Sequence, residues 1–288
     1  MAALRRLLDE RDPAGGTAKA AVMLCHPGPS LLVTAVAVAA GGLLTASPPG
    51  WPATIRLALI VLPAQLATGA ANDLADVADD RRSKPHKPLV RGAVPAGAAR
   101  AIAVIGTAVA LVAALTAGPA ALAFAAAGAG AGLAYDLGLK RSPLAVLAWW
   151  AGFTALPFGV AAVTSSLRPG LAWALPLTAL LAVLLHVANA LPDLAGDRAA
   201  GVRSLPVLLG RRRARQLGAA AGVAVALLVA GLAGPLGQNA VAVDLAATGV
   251  GVGSVALMAG DGSAERAFAP LALLSAVLAA CWLGALPR

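Results

Sequence analysis

Two groups of asparagine and aspartate residues, each with a spacing of four, stand out in the sequence. They are Asn72, Asp76 and Asp80 in the first group and Asn189, Asp193 and Asp197 in the second. A spacing of four places side chains on one face of a helix. Carboxylates on one face repel each other, and near a membrane each is costly to desolvate. A divalent cation offsets both costs. Mg²⁺ takes such oxygen ligands together with water and substrate phosphate, so the groups predict a Mg²⁺ site that binds a diphosphate.

The residues around the two groups also match. At a constant offset, the pairs are Ala71 with Ala188, Leu74 with Leu191, Ala78 with Ala195, and Arg81 with Arg198. This similarity indicates an internal duplication that brings both groups to the same side of the bundle. One such group on its own is as often a solvated helix end as a functional site. Two copies at matching helix ends, in a chain with only 12% charged residues, favour the functional interpretation.

The composition is typical of a membrane protein. Of the 288 residues, 59% are hydrophobic and 12% are charged, whereas soluble domains carry about 25% charged residues. The apolar mass comes mainly from Ala, Leu, Val and Gly, and small residues let helices pack closely in lipid. The net charge of +9 is confined to short segments between apolar spans. Topology and anionic lipid explain this charge better than a nucleic-acid partner, and the arginine run over 211–215 is expected to contact lipid headgroups.

About nine apolar segments approach the length of about 20 residues that crosses a bilayer. They are 22–46, 53–75, 98–117, 119–136, 143–163, 170–190, 214–234, 239–259 and 267–286. All but three of the 22 Lys and Arg residues fall on one side of these spans, the exceptions being Arg56, Arg168 and Arg288. The positive-inside rule places that side, with both aspartate groups, in the cytoplasm.

The sequence therefore predicts an all-α, polytopic membrane helix bundle of about nine transmembrane helices. Its active site is expected at the cytoplasmic end, and the protein is expected in the cytoplasmic (plasma) membrane. A cytoplasmic lead-in is predicted over residues 1–21 and a single transmembrane domain over residues 22–288.

The aspartate groups resemble the motifs of the UbiA family of intramembrane prenyltransferases. The family motif N-D-x-x-D-x-x-x-D is matched by Asn72, Asp73, Asp76 and Asp80, and the second motif by Asp193, Asp197 and Gly201. The segment Lys-Pro-Leu-Val-Arg-Gly over 87–92 is similar to the loop that follows the first motif. Two features depart from the family pattern. One extra residue separates Tyr135 from Lys140, and His26 precedes Pro27 where many members have arginine.

The resemblance implies Mg²⁺-dependent transfer of an isoprenyl group from a prenyl diphosphate to an acceptor, with release of diphosphate. The implied metal ligands are Asn72, Asp76, Asp80, Asn189, Asp193 and Asp197. The implied diphosphate ligands are Lys87, Arg91, Lys140 and Arg141. The implied catalytic residues are Asp73, Tyr135 and Lys140. Asp73 or Asp136 would accept a proton from the acceptor, and Tyr135 would stabilise the allylic cation through its ring face. The apolar bundle would hold the isoprenoid tail and exclude water.

Two other functions share some of these features. A secondary transporter also carries internal repeats and intramembrane carboxylates, but these carboxylates lie at helix ends and the repeats are parallel. A phosphatidyl-alcohol transferase would need an extended motif opening with Asp-Gly-x-x-Ala-Arg, and Asp261-Gly262 lacks its Ala-Arg. The sequence leaves open the acceptor, which is expected to be aromatic or another small lipid precursor. It also leaves open the prenyl chain length, the general base and the oligomeric state.

Overall fold

A computed structural model describes residues 20–24, 26–232 and 240–287. Within these ranges the chain forms helices and no strand, which confirms the all-α prediction. The helices are α1 (Pro27–Thr45), α2 (Trp51–Ser83), α3 (Ala96–Ala117), α4 (Pro119–Asp136), α5 (Ala145–Val163), α6 (Ala174–Ala190), α7 (Leu194–Ala199), α8 (Leu205–Gly231), α9 (Ala240–Ala259), α10 (Asp261–Ala264) and α11 (Phe268–Ala285). Two 3₁₀ turns lie at Leu139–Arg141 and Pro169–Trp173. The lead-in predicted over residues 1–21 lies almost entirely outside the described residues.

In the described part of the chain, eight helices are long and apolar enough to cross a membrane. They are α1, α2, α3, α5, α6 with its preceding 3₁₀ turn, α8, α9 and α11. The ninth long helix in the described part of the chain is α4, whose glycines and terminal Asp136 lower its hydropathy. The predicted number of about nine spans agrees with this arrangement. Large apolar side chains such as Val104 and Leu227 remain more than two-thirds exposed, as expected for a surface that faces lipid, and the chain is an integral membrane protein.

The long helices pack in a closed ring. From α1 to α6, each helix contacts the next in chain order. Then α6 contacts α8, α8 contacts α9, α9 contacts α11, and α11 returns to α1. Leu184, Val187, Val225, Leu271 and Leu278 are fully buried in the core of this ring. Burial of such side chains fixes how the helices are positioned around the site.

A single residue separates α3 from α4. Gly118 has φ +112°, a backbone conformation that residues with a Cβ rarely adopt, and it ends α3. Pro119 then begins α4, where its missing N–H is not needed. This reversal returns the end of α4, with Tyr135 and Asp136, to the side of the bundle where α2 ends.

The second aspartate group differs from the helical stripe that its spacing predicts. The first group lies on one unbroken helix, since α2 continues past Asp80. The chain instead turns at Pro192 between α6 and α7, because proline lacks an N–H and its ring clashes with the preceding turn. Asn189 therefore lies on α6, Asp193 is the residue directly before α7, and Asp197 lies within α7.

The start of α8 also differs from the prediction. The helix begins at Leu205, well before the predicted span at 214–234. Pro206 in the first turn favours this early start. The arginines at 211–215 therefore lie on the first turns of a helix, beyond a kink at Gly210, and not in a loop.

Candidate active site

The first aspartate motif lies on the last turns of α2. Asp73 and Asp80 are only 2% and 4% exposed, whereas Asn72 and Asp76 are partly accessible. A buried carboxylate is costly unless a positive group faces it. Both buried aspartates have such a partner, and it comes from the loop that follows α2.

Lys87 supplies the positive charge for both buried carboxylates. Its Nζ donates to Asp73 Oδ1 at 2.7 Å and to Asp80 Oδ2 at 2.6 Å. Burial by itself lowers the pKa of Lys87, but hydrogen bonds to the two carboxylates and their charges outweigh it, so the pKa is raised. Arg91, the other predicted diphosphate ligand on this loop, is exposed. Its side chain makes no hydrogen bond or ion pair with any residue that the structure describes.

Lys140 faces the accessible part of the same motif. It lies in the 3₁₀ turn after α4, and its Nζ donates to Asp76 Oδ1 at 2.5 Å and to Asn72 Oδ1 at 3.2 Å. The extra residue between Tyr135 and Lys140 therefore does not keep the lysine away from the motif. The ends of α2 and α4 meet through this contact.

Arg141 joins the first motif to the segment that follows the second. Its Nη1 donates to Asp79 Oδ2 at 3.1 Å, and its Nη2 donates to the Ala200 carbonyl at 3.1 Å. The Arg203 N–H donates to the Arg141 carbonyl at 2.9 Å. Arg141 and Asp79 are about half exposed, so this ion pair contributes little to stability. Its effect is to hold the end of α2 beside the segment that follows α7.

The second motif is more open than the first. Asn189 and Asp193 are exposed and Asp197 is half-buried. Burial raises the pKa of Asp197 and the charge of Asp193 adds to this effect, while Arg141 opposes it. None of these three side chains forms a hydrogen bond with another residue of the described ranges. Their oxygens are therefore available to a ligand.

Tyr135 lies within electrostatic range of both motifs. Asp76 of the first motif and Asp197 of the second both act on its hydroxyl, as does the adjacent Asp136. Its ring packs edge-on against Trp149, with ring centres 6.1 Å apart. Asp136 is 5% exposed, and its Oδ2 accepts no hydrogen bond from the residues described. Tyr135 thus lies at the end of α4 just before the turn that carries Lys140 to the first motif.

The oxygen-rich motifs fit Mg²⁺ by the chemistry of their donors. Asp193 and Asp197 of the second motif offer free carboxylates, and Asp76 of the first motif is partly accessible. Within the described ranges, no three carboxylate or imidazole side chains already surround one point. Mg²⁺ usually binds through one or two carboxylates and completes its shell with water and substrate phosphate, so this open arrangement suits it.

His26 also contacts the first motif, although the sequence interpretation did not place it in the site. Its Nε2 is 3.2 Å from Asp73 Oδ1, and its side chain is 41% exposed. An ionised carboxylate only accepts hydrogen bonds, so the imidazole Nε2 carries the hydrogen. The sequence signal for this contact is the position of His26 directly before Pro27, where arginine is common in the family.

An apolar cavity of about 380 Å³ lies between α2, α4 and α5. Tyr135 and Trp149 line it on the side of the aspartate motifs. Leu57, Ala121 and Val163 line its far end, and each is less than a tenth exposed. The volume is in the range of small-molecule sites, and the lining is suited to a hydrocarbon chain.

Known proteins resemble this chain in sequence. Over 154 residues it is 38% identical to a digeranylgeranylglyceryl phosphate synthase from Halobacterium salinarum, which covers 52% of this chain and 55% of that one. Over 201 residues it is 36% identical to the corresponding synthase from Natronomonas pharaonis, which covers 67% of this chain and 72% of that one. The Halobacterium match thus spans only about half the length of either protein.

A solved structure shares the fold. A UbiA homologue from Archaeoglobus fulgidus, bound to GPP and Mg²⁺, superposes with a TM-score of 0.72 and 16% sequence identity. The match covers 92% of this chain and 99% of that one. The model of the UbiA prenyltransferase family matches residues 31–275. Because this match extends over most of the chain, as the aspartate motifs predicted, the protein belongs to the UbiA prenyltransferase family.

Proposed function

We propose that this chain catalyses the Mg²⁺-dependent transfer of an isoprenyl group from a prenyl diphosphate to an acceptor in the membrane. One observation carries the proposal. Two aspartate motifs, linked through Arg141, lie at the helix ends on the side where Tyr135 lines an apolar cavity. A transporter would place its carboxylates near mid-membrane. The chain belongs to a family of prenyltransferases. Family membership therefore supports neither a transporter nor a phosphatidyl-alcohol transferase.

The roles of the residues follow from their chemistry. Asn72, Asp76, Asp80, Asn189, Asp193 and Asp197 would hold the metal. Bound Mg²⁺ neutralises the charge that develops on the departing diphosphate. Lys87 and Lys140 have flexible stems and can move from the carboxylates to the phosphate oxygens, joined by Arg91 and Arg141. Tyr135 would face the allylic cation with its ring. Asp73 would accept the proton that the acceptor loses.

The acceptor is proposed to be a glycerophosphate lipid precursor. The support is the name of the Halobacterium and Natronomonas relatives, whose product is a glyceryl phosphate. His26, which contacts Asp73, stands where many family members have an arginine. This difference beside the first motif is consistent with an acceptor other than that of those members. An aromatic acceptor is the alternative that the assay must include.

The motif-bearing ends of the helices are proposed to face the cytoplasm, in the cytoplasmic membrane. Support comes from the basic residues, which concentrate on the side of Lys87, Lys140 and Arg203. Prenyl diphosphates carry several negative charges, so a basic cytoplasmic face would also attract the donor.

The test is diphosphate release by purified protein in detergent, with and without Mg²⁺. Geranyl, farnesyl and geranylgeranyl diphosphates would each be paired with a glycerophosphate or an aromatic acceptor. Asp76→Ala and Asp193→Ala each remove one metal ligand, so we expect each to lower kcat by about a hundredfold or more.

Arg266→Ala is a suitable control, since this exposed residue does not line the cavity and, among the described residues, its side chain bonds only to the Gly262 carbonyl. It should release diphosphate as the unaltered chain does. Release that needs neither Mg²⁺ nor the two aspartates would contradict the proposal, and so would the absence of release with every pair.

A further inference from the structure

We propose that Gly152 and Gly159 on α5 set the length of the prenyl donor that this chain accepts, at about four isoprene units. The inference rests on the proposed function, because it assigns the apolar cavity to the donor's hydrocarbon tail. It adds the residues that decide the donor's length.

The cavity runs along almost the whole of α4. Tyr135 lines one end and Ala121 the other, and at 1.5 Å per residue they are about 21 Å apart. An extended isoprene unit adds four carbon–carbon bonds of about 1.5 Å each, which gives about 5 Å per unit along the chain. Buried residues line the far end, where Leu57 and Ala121 are each 2% exposed. About four units therefore fill the cavity.

The interior glycines of this bundle mostly allow helices to approach each other. A Cβ on Gly106 would lie 2.6 Å from the Pro63 carbonyl oxygen, and one on Gly222 would collide with Ser254. A Cβ on Gly152 would meet no atom within 4 Å, although this residue lines the cavity. Packing thus does not require glycine at Gly152, and glycine inside a helix is destabilising relative to alanine. The missing side chain leaves space in the cavity for a ligand.

Gly152 and Gly159 lie at two depths along the cavity. Gly152 is one turn from Trp149 at the mouth and about 16 Å from Val163, by the rise of α5. Gly159 is about 6 Å from Val163. A Cβ on Gly159 would lie 3.4 Å from Phe124 Cβ, which is an ordinary contact. A large side chain at position 152 would leave room for one or two isoprene units. A large side chain at position 159 would shorten the available length by about one isoprene unit.

The test compares Gly152→Leu and Gly159→Leu with the unaltered chain on donors of two, three, four and five isoprene units. The readout is the ratio of kcat/KM between donors. Gly130→Leu is the matched control, since Gly130 is exposed on α4, has open space around its Cβ and does not line the cavity. The leucine adds the same bulk there without entering the cavity.

We expect the kcat/KM of the unaltered chain to be about tenfold or more higher for the four-unit donor than for the five-unit donor. Extra methylene groups that do not fit an apolar pocket typically have an effect of this size. Gly159→Leu should move the preference to three units and Gly152→Leu to two. Gly130→Leu should keep the original preference. Activity with the two-unit donor would show that the variants are folded.

An unchanged ratio in both cavity variants would overturn the inference while leaving the proposed function standing. No release by the unaltered chain with any donor would contradict the proposed function instead. If Gly152→Leu lost activity with every donor, Gly159→Leu would decide, because its added bulk lies far from the reacting groups. An unchanged preference in Gly159→Leu would then overturn the inference.

Discussion

At the scale of single residues, lysines balance the charge of the first aspartate motif. Lys87 bonds to Asp73 and Asp80, and Lys140 bonds to Asp76 and Asn72. The buried carboxylates would otherwise face each other without a positive charge. Because each ammonium lies on oxygens that are expected to bind a cation, metal binding and lysine binding compete for the same atoms.

Replacing Lys87 by methionine should destabilise the protein. The change leaves Asp73 and Asp80 buried without their cation, and loss of one partner of a buried pair costs about 3 kcal/mol. We expect a lower Tm in a thermal melt in detergent. Added Mg²⁺ should recover part of the loss, since a ligand that binds the folded state stabilises it.

Lys84→Met is the matched control, because Lys84 is exposed on the same loop and its side chain has no bonding partner among the residues described. The Tm of Lys84→Met should equal that of the unaltered chain. Equal melting temperatures for the two variants would mean that Lys87 does not balance the buried charge.

At the scale of elements, the site depends on how helix ends are held together. The end of α2 is tied to the 3₁₀ turn after α4 by Lys140 and to the segment after α7 by Arg141. The two motifs are similar in sequence but differ in structure, because Pro192 breaks the second helix. The break leaves Asp193 on an exposed helix cap. Arg141 bonds to both the end of α2 and the segment after α7, and so links the two motifs.

Arg141→Ala should weaken donor binding with little effect on stability. The ion pair of Arg141 with Asp79 is exposed on both sides, so its loss should cost less than about 1 kcal/mol. Because Arg141 is proposed to bind the diphosphate, loss of its guanidinium should raise the KM for the prenyl diphosphate by about tenfold. Steady-state kinetics and a thermal melt separate the two effects.

A second exposed ion pair provides the comparison. Arg211 donates to Glu265 at 3.0 Å and does not line the apolar cavity. Arg211→Ala should lower Tm as little as Arg141→Ala does, with an unchanged KM. A similar rise of KM in both variants would show that general surface charge, and not the position of Arg141, attracts the donor.

At the scale of the whole molecule, the ring of helices encloses a cavity that opens beside the charged motifs. The apolar exterior faces lipid, and the basic residues gather at the end of the bundle that carries the motifs. The proposed function would place the hydrophobic tail of the donor between α2, α4 and α5, and its diphosphate at the helix ends. The orientation in the membrane decides from which compartment the donor enters.

Cysteine labelling in intact cells tests that orientation. The two native cysteines would first be replaced by serine. Either Ser47→Cys or His86→Cys would then be introduced. Both residues are exposed, and they lie at opposite ends of the bundle. An impermeant thiol reagent should label Ser47→Cys and leave His86→Cys unlabelled until the cells are opened. The reverse pattern would place the active site outside the cytoplasm.

The sequence by itself determined the features that depend on local spacing and composition. Apolar segments of membrane-spanning length predicted the helices, and Gly118 with Pro119 marked the turn between two of them. Motif spacing identified the family, and no long-range contact had to be known for that. The charge asymmetry of the loops predicted the orientation that remains to be tested.

Only the tertiary structure decided which distant residues meet. His26 and Asp73 are 47 residues apart in sequence, and Lys140 and Asp76 are 64 apart. Such pairs form because helices pack in a particular order around the ring, and local periodicity carries no information about that order. The cavity has the same origin, since its lining comes from separate helices and its space at Gly152 appears only once those helices are packed.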